Sequence, residues 1–508
     1  MKKAGFEESK KKMIEGMTIT ARAVSRTLGP NGKNVYVADP ITPKITNDGA
    51  SIASKIVLKD PEMDAGAWVI RSATGRAADE AGDGTTTTAV LCEAIAKESL
   101  LRPENPMFIR SSLASAVPAI VKEIKRLSRP TTPKDVEAIA TVSADDTNLS
   151  SLIVEIFEKK GIDAHVMIED SETSQSNIEL MDGYEAQVGL MSPWLVNDMK
   201  AQKADYRDVP VLCSHKKVNA IAELLPLYEA LGAKKINQLV IVCDDMSVDA
   251  LSTIIQNKQR GTFSTMVVRA TGELLDDIAA VVGATPVSEQ TGVNFDSNDL
   301  LKHLGKAKHV VSTYGTPTVQ GRTTFVGRGR GGKEKATALL AAAQNTKNEL
   351  ERKTILRRAA KLRSGVAVLK IGAYSEQERG YLKDKADDAI KAVKSALAEG
   401  YVEGGGMCLY RIGEHMKPKT VGEEILKKAL MAPLRTIIEN GGKDYSEIIK
   451  NLPDGMGYNA LTDSYQNLFS ARILDPAKVE RIAVESAVSS IGEMITTHAL
   501  ITDDNEKA

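Results

Sequence analysis

From Glu8 to Leu28 the apolar residues Met13, Met17, Ala21, Val24 and Leu28 return every three or four positions, which aligns them on one helix face. Gly29-Pro30-Asn31-Gly32 stops that helix, because proline lacks the N–H a helix needs and glycine accepts the turn that follows. A short strand over Val35–Val37 and a turn at Asn47-Asp48-Gly49 come next. Helical spacing over Ala65–Ala81 and Thr86–Leu100 flanks Gly82-Asp83-Gly84, and a further helix is predicted from Pro106 to Leu127. Ser128-Arg129-Pro130-Thr131-Thr132-Pro133 then breaks the helical run, with Thr132 placed to cap a restart.

Between about Val211 and Val326 the texture changes. Short β-branched runs at Val211–Cys213, Leu239–Cys243 and Met266–Val268 alternate with helical segments near Asn219–Leu231 and Val248–Asn257, the pattern of an α/β module. Charged helices near Ala336–Gln344 and Asn348–Arg363 lead back out of it, as far as Val366–Ile371. Beyond that stretch the chain is helical again and punctuated by Gly404-Gly405-Gly406. The order helical, α/β, helical fits one domain inserted within another, and 508 residues exceed a single ordinary core.

Charge narrows the functional classes. The 66 basic and 67 acidic residues nearly cancel, which removes any bulk electrostatic case for nucleic acid or an anionic membrane. Cys92, Cys213, Cys243 and Cys408 are scattered in apolar stretches, so buried reduced thiols are expected. The opening Met1-Lys2-Lys3 runs into more charge rather than an apolar stretch; no signal peptide or membrane span is expected, and the cytoplasm is the expected compartment. His165, His215, His303, His309, His415 and His498 form no HExxH, and no G-x-S-x-G occurs.

Gly82-Asp83-Gly84-Thr85-Thr86-Thr87-Thr88 is the most informative stretch. A glycine turn feeding a helix N-terminus offers unpaired N–H groups to phosphate, and Asp83 could hold a divalent cation there; the same residues also make an ordinary capped helix start. Asp48 sits in a turn, Asp388 on a helix beside Asp387, and Asp475-Pro476 reads as a helix start. Gly327-Arg328-Gly329-Arg330-Gly331-Gly332-Lys333 satisfies GxxxxGK, yet Glu334 stands where a P-loop needs a hydroxyl for magnesium. With no aromatic inside it for base stacking, this segment is read as a mobile hairpin or loop.

Thr27-Leu28-Gly29-Pro30-Asn31-Gly32-Lys33-Asn34-Val35, Ile45-Thr46-Asn47-Asp48-Gly49 and Gly82-Asp83-Gly84-Thr85-Thr86 closely resemble, in order and interval, the start of the bacterial-type, group I (GroEL-like) chaperonins. The resemblance continues through Gly189-Leu190-Met191-Ser192-Pro193, Ser364-Gly365-Val366-Ala367-Val368, Asp387-Asp388-Ala389, Gly404-Gly405-Gly406, Gly457-Tyr458-Asn459-Ala460 and Ile473-Leu474-Asp475-Pro476. It implies a multi-domain α and α/β subunit. A helical equatorial domain would take 1–126 and 400–508, a small α/β intermediate domain 127–181 and 367–399, and an α/β apical domain 182–366.

The same resemblance implies an ATPase that folds proteins in a homo-oligomeric ring, with seven subunits per ring and one or two rings. Thr27, Leu28, Gly29, Pro30 and Asn47 would line the nucleotide pocket, Asp83 would hold Mg2+, and Gly84, Thr85, Thr86 and Thr87 would surround the phosphates. Gly405, Asn459, Ala460, Leu461 and Asp475 would hold base and ribose, while Asp388, assisted by Asp48, would activate water. K+ is a further expected cofactor. Unfolded clients would bind at Leu190, Trp194, Leu195, Leu225, Tyr228, Leu251 and Ile255, a surface shared with a co-chaperonin lid. Departures from the family pattern are Asn47 in place of a lysine, Gln256 in place of an apolar client contact, and a shorter Arg269–Asp277 segment. The last residues, Asp503 to Ala508, carry no Gly-Gly-Met run.

Overall fold

The computed structural model describes residues 6–38, 44–144, 146–161, 164–181, 183–199, 201–296, 300–315, 321–327, 331–346 and 348–497. Its helices and strands begin with α1 (Phe6–Ser25), β1 (Val35–Val37), β2 (Lys44–Thr46), α2 (Gly49–Lys55), α3 (Pro61–Glu80), α4 (Thr85–Leu100), α5 (Pro106–Leu127), α6 (Pro133–Ala144) and α7 (Thr147–Lys160). The middle of the chain forms β3 (His165–Asp170), β4 (Asn177–Met181), β5 (Gly183–Ala186), β6 (Lys203–Ser214), α8 (Leu225–Ala233), β7 (Gln238–Cys243), α9 (Val248–Gln259), β8 (Ser264–Arg269) and α10 (Gly272–Val282). It continues with β9 (Gly305–Thr313), β10 (Thr323–Gly327), α11 (Gly331–Asn345), α12 (Glu349–Ser364) and β11 (Val366–Ile371). The last part holds α13 (Glu376–Glu399), β12 (Tyr401–Glu403), α14 (Met407–His415), α15 (Val421–Ala429), α16 (Ala432–Asn440) and α17 (Tyr445–Lys450). It ends on β13 (Gly457–Asn459), β14 (Ser464–Gln466), β15 (Leu474–Pro476) and α18 (Ala477–Thr496).

By contact the chain falls into two compact units: Met1–Glu155 with Asp170–Asn177 and Ile371–Ala508, and Ile156–Glu169 with Ile178–Lys370. Each is built from more than one stretch of chain. The first unit is a helical body whose core draws Met17, Val24, Ile70, Leu91, Ile95, Leu113, Ile120, Ile425, Leu426, Val484 and Ile491 from its early and late segments alike. Helices α1 and α3 cross there with backbones almost touching. A Cβ at Gly66 would lie 1.7 Å from the Met13 carbonyl oxygen, and one at Gly16 only 1.9 Å from that of Met63, so no side chain fits at either position. Helix α1 stops three residues before Leu28, because the Thr27 N–H (3.0 Å) and hydroxyl (2.9 Å) both turn back onto the Val24 carbonyl.

The second unit is built on a six-stranded mixed sheet ordered β5-β10-β9-β6-β7-β8. Strands β6, β7 and β8 run parallel, Val211 opposite Val240 and Val240 opposite Met266, and are buried on both faces, as their unbroken apolar runs require. The predicted helix over Asn219–Leu231 is two elements, a 3-10 turn at Ile221–Leu224 and α8, because Pro226 occupies the first turn of α8 and cannot continue a preceding helix. The glycine-rich segment expected to be a loop is, at Gly331–Lys333, the start of α11, while Arg328, Gly329 and Arg330 lie outside the described residues. Its glycines answer to packing: a Cβ at Gly327 or Gly331 would meet the carbonyl oxygens of Val281 (2.2 Å) and Ala280 (2.3 Å) on α10.

A charged cluster ties β3, in the sheet β3-β11-β4, to the larger sheet. The buried His309 ring on β9 faces Glu169 through Nδ1 (2.9 Å) and Asp205 through Nε2 (2.8 Å), an arrangement that only the doubly protonated imidazolium satisfies. Arg207 also reaches Glu169 (3.0 Å), and Lys203 reaches Asp205 (3.3 Å). Burial alone would lower the His309 pKa, but its bonds to Asp205 and Glu169 outweigh that and raise it. The His309 bond holds Glu169 down at about 2. Burial pushes Asp205 the other way, yet its own bond to His309 and the nearby charges bring it to about 2. A raised folded-state pKa on a base gives stability that is complete below the unfolded value, about 6.5, and is lost as pH rises through the folded value. Stability from the lowered carboxylates is present above about 4 and lost as pH falls toward 2. His309→Gln is therefore expected to lower stability at pH 6 by about 3 kcal/mol, an effect that shrinks as pH rises, when thermal unfolding is followed by calorimetry.

Candidate functional site

Within the helical unit, several chain turns converge at the start of α4. Gly84 takes the left-handed conformation (φ 78°), the helix has no side-chain cap, and its first N–H groups belong to Thr85, Thr86 and Thr87. The beginning of α2 lies against it: a Cβ on Gly49 would stand 2.8 Å from the Thr85 hydroxyl, 2.7 Å from that of Thr86 and 3.0 Å from the Thr86 amide nitrogen. Asp48 caps α2, accepting from the N–H groups of Ala50 (3.2 Å) and Ser51 (2.9 Å), with Asn47 half-buried just before it. The Thr27 hydroxyl is 3.2 Å from that of Thr86, which brings the loop after α1 to the same place. Beyond it Leu28 is half-buried and Gly29 (φ 84°) and Pro30 are exposed, with a Cβ on Gly29 limited by Ile437 at 3.0 Å.

Asp83 accepts from the Gly84 N–H (2.5 Å) and from the Ser143 hydroxyl of α6 (3.1 Å). Asp388 comes from α13. Burial first, then the charges of Asp83 and Asp48, push its carboxyl far above the usual range, with Lys385 pulling weakly the other way. Lys391, one turn further along α13, pairs with Asp387 at 2.7 Å. Burial would lower its pKa, but Asp387, Asp388 and Asp48 together raise it. Its side chain fills the space beside Gly82, where a Cβ would stand 2.2 Å from it.

The remaining wall is formed by the late segments. Asp475, opposite Val402 across the β12–β15 pair, accepts from the N–H groups of Gly405 and Gly406. Gly404 is tightly packed beside it, since a Cβ would lie 3.0 Å from Asp475 Oδ1. Burial and the Asp83 charge raise the Asp475 pKa, and the two N–H groups oppose that shift. The Asn31 amide donates to the Ala460 carbonyl (2.7 Å), linking the first loop to this side. Asn459 is occupied by its own turn, its Oδ1 accepting from Leu461 N–H at 2.9 Å, and the Leu461 side chain is exposed.

The TCP-1/cpn60 chaperonin family model matches residues 20–223 and 232–505. This chain belongs to that family. Among solved structures it is similar to the chaperonin gp146 from bacteriophage EL 2 (Pseudomonas aeruginosa), crystallised in the presence of ATP-BeFx. In one crystal form the TM-score is 0.69 at 18% identity, covering 98% of each chain. A second crystal form gives a TM-score of 0.63 at the same 18% identity and 98% coverage of each chain. At that identity the likeness establishes the chaperonin fold, a multi-domain arrangement of helices and mixed sheets.

In this chaperonin the residues expected to take clients divide by position. Leu190 (4% exposed) and Leu195 (0%) belong to the core of the second unit, which corrects the expectation that they lie on its surface. The reason is local: Leu190 N–H bonds the Thr313 carbonyl (3.0 Å) and Met191 N–H that of Val267 (3.0 Å), so the segment is laced onto the sheet. Trp194 is 66% exposed and Leu225 is exposed at the start of α8. Tyr228, Leu251 and Ile255 are half-buried, packed against the core, and the Tyr228 hydroxyl is 3.1 Å from that of Thr265. Val248 and Met199 are further exposed apolar residues that periodicity did not single out.

Among the described residues no group of three His, Cys, Asp or Glu side chains could cage a metal alone, and no helix is long and apolar enough to cross a membrane. Magnesium does not need such a cage, because it keeps to one or two carboxylates and completes its shell with phosphate and water. Asp83, whose charge acts on both Asp388 and Asp475, fits that part. Lys391 and Ser143 were not foreseen; Lys391 could have been, since it follows Asp388 at i+3 on one helix. Asp48→Asn keeps an acceptor for the α2 cap while removing a charge. It is expected to lower the Asp388 pKa in metal-free protein, read from carboxyl carbon shifts, whereas Asp48→Ala also loses a cap worth about 1 kcal/mol.

Proposed function

We propose that this chaperonin is of group I type and hydrolyses ATP to drive domain movement around unfolded polypeptides in a homo-oligomeric ring. The observation that carries the ATPase is the gathering of Asp48, Asp83 and Asp388 about the uncapped start of α4, in a member of the chaperonin family. The N–H groups of Thr85, Thr86 and Thr87 would donate to phosphate oxygens, as the helix dipole favours. Asp83 would hold Mg2+, which supplies charge neutralisation on the phosphates. Asp388, whose proton affinity burial and the Asp83 and Asp48 charges raise, would lose its own proton as a bound cation offsets those charges and would then take one from the attacking water, which Asp48 would orient. Thr27, Leu28, Gly29 and Pro30 would close one side of the nucleotide. Gly405, Asn459, Ala460, Leu461 and Asp475 would hold base and ribose. K+ would rest on a backbone carbonyl near Asn47.

The three-domain division proposed for the subunit is equatorial 1–126 and 400–508, intermediate 127–181 and 367–399, and apical 182–366. Seven subunits per ring, one or two rings, a co-chaperonin lid and a cytoplasmic setting belong to the same reading. Trp194 and Leu225, joined by the partly accessible Tyr228, Leu251 and Ile255, would supply the apolar client surface.

Asp388→Asn in the purified chain is expected to bind ATP but hydrolyse it at least about 100-fold more slowly, measured as magnesium-dependent phosphate release. An unchanged rate would remove Asp388 from the mechanism. Trp194→Ser with Leu225→Ser is expected to leave hydrolysis intact and abolish protection of a denatured client from aggregation, followed by light scattering. Retained protection would move the client surface elsewhere.

A further inference from the structure

Glu480 lies in the first turns of α18, five residues beyond Asp475, and only 4% of it is exposed. It is surrounded by the core of the helical unit, with Ala477, Ala483, Val484 and Cys408 among the buried residues there. Its carboxyl hydrogen-bonds that of Asp475, and among the described residues no donor reaches its Oε2. Two carboxyl groups can share a hydrogen bond only if one keeps a proton. Asp475 is the side chain on which the Gly405 and Gly406 N–H groups also converge, and those groups donate to a charged carboxylate. The consistent arrangement is a neutral Glu480 donating to an ionised Asp475 from behind. Such a buried carboxyl is a net cost to folding, since an apolar side chain of similar volume would leave no oxygen without a donor.

We propose that Glu480 is a positioning residue, a carboxylic acid that fixes the Asp475 carboxylate in the orientation needed to accept from the ribose hydroxyls of the nucleotide. This rests on the assignment of Asp475 to the ribose. With donors on three sides, two backbone N–H groups and Glu480, the Asp475 carboxylate is aimed before the nucleotide arrives, and little freedom is lost on binding. Without the Glu480 donor the two backbone bonds remain, but the carboxylate loses the bond that stops it rotating.

The test uses the whole chain and Mg-ADP, which reads binding without hydrolysis. Glu480→Gln, whose amide still donates, is expected to bind within about twofold of the unaltered protein, and Glu480→Met about tenfold more weakly, by titration calorimetry. Glu480→Met is also expected to melt at the same or a higher temperature, so weaker binding in it cannot come from a damaged fold. Infrared difference spectra between the unaltered protein and Glu480→Gln are expected to contain a protonated-carboxyl band, and its absence would overturn the shared proton. Glu480→Met that binds normally, or that fails to fold, overturns the proposal while leaving the ribose assignment in place, provided Asp475→Ala weakens binding. If Asp475→Ala leaves Mg-ADP affinity unchanged, the ribose assignment falls and the positioning role falls with it.

Discussion

The contact on which the helical unit depends is the crossing of α1 and α3 through Gly16 and Gly66. Each helix presents its backbone to the other, since a Cβ at either glycine would overlap a carbonyl oxygen. A crossing set by backbone atoms rather than by side chains leaves little latitude in the distance between helices. Both helices end at the site: α1 runs out into Thr27–Pro30, and α3 into Gly82-Asp83-Gly84. The separation of these two loops is thus fixed about two and a half turns back along α1 and about four turns back along α3. The Thr27–Thr86 hydroxyl contact is the far end of the same geometry.

What the crossing holds together is not a comfortable arrangement. The charges of Asp83 and Asp48 bear on the buried Asp388 carboxyl, and α13 brings Lys385 and Lys391 to offset them. The second unit shows the opposite solution with similar residues. There Glu169 and Asp205 stand on either side of a buried imidazolium, and each is satisfied by a partner of the chain's own. The contrast separates an ion cluster satisfied within the fold from one whose acidic groups the fold leaves unbalanced.

Much of the fold was legible in the sequence where punctuation was strong. Helix Pro106–Leu127 and strand Val35–Val37 lie at the residues expected, each bounded by proline, glycine or an abrupt change in polarity. The split at Pro226 and the helical start at Gly331 were missed, because a glycine run looks the same whether it frees the chain or lets it press against a neighbour such as α10. In the site, Asp48, Asp83, Asp388 and Asp475 each looked like a turn, a cap or a solvated carboxylate. Only tertiary burial distinguishes them, and it distinguishes Glu480 more strongly still, though one glutamate on a helix face carries no mark in the sequence. Leu190 and Leu195 failed for the mirror reason: apolar character cannot say which side of a sheet edge a residue will take.

The discontinuity of the helical unit bears on how the molecule is made. Helices α3, α4 and α5 pack against α18, and the core they share is incomplete until that last helix is present. On the ribosome the interval between the end of α5 and the end of α18 is some 370 residues, or roughly 20 to 70 s of synthesis. For most of that time the early helices carry an open apolar seam, and α14 and α15, made shortly before α18, cover only part of it. The inserted α/β unit has no such wait, because its sheet closes within its own stretch of chain. A nascent chain of this kind is itself a candidate for the protection that the finished ring would offer to others.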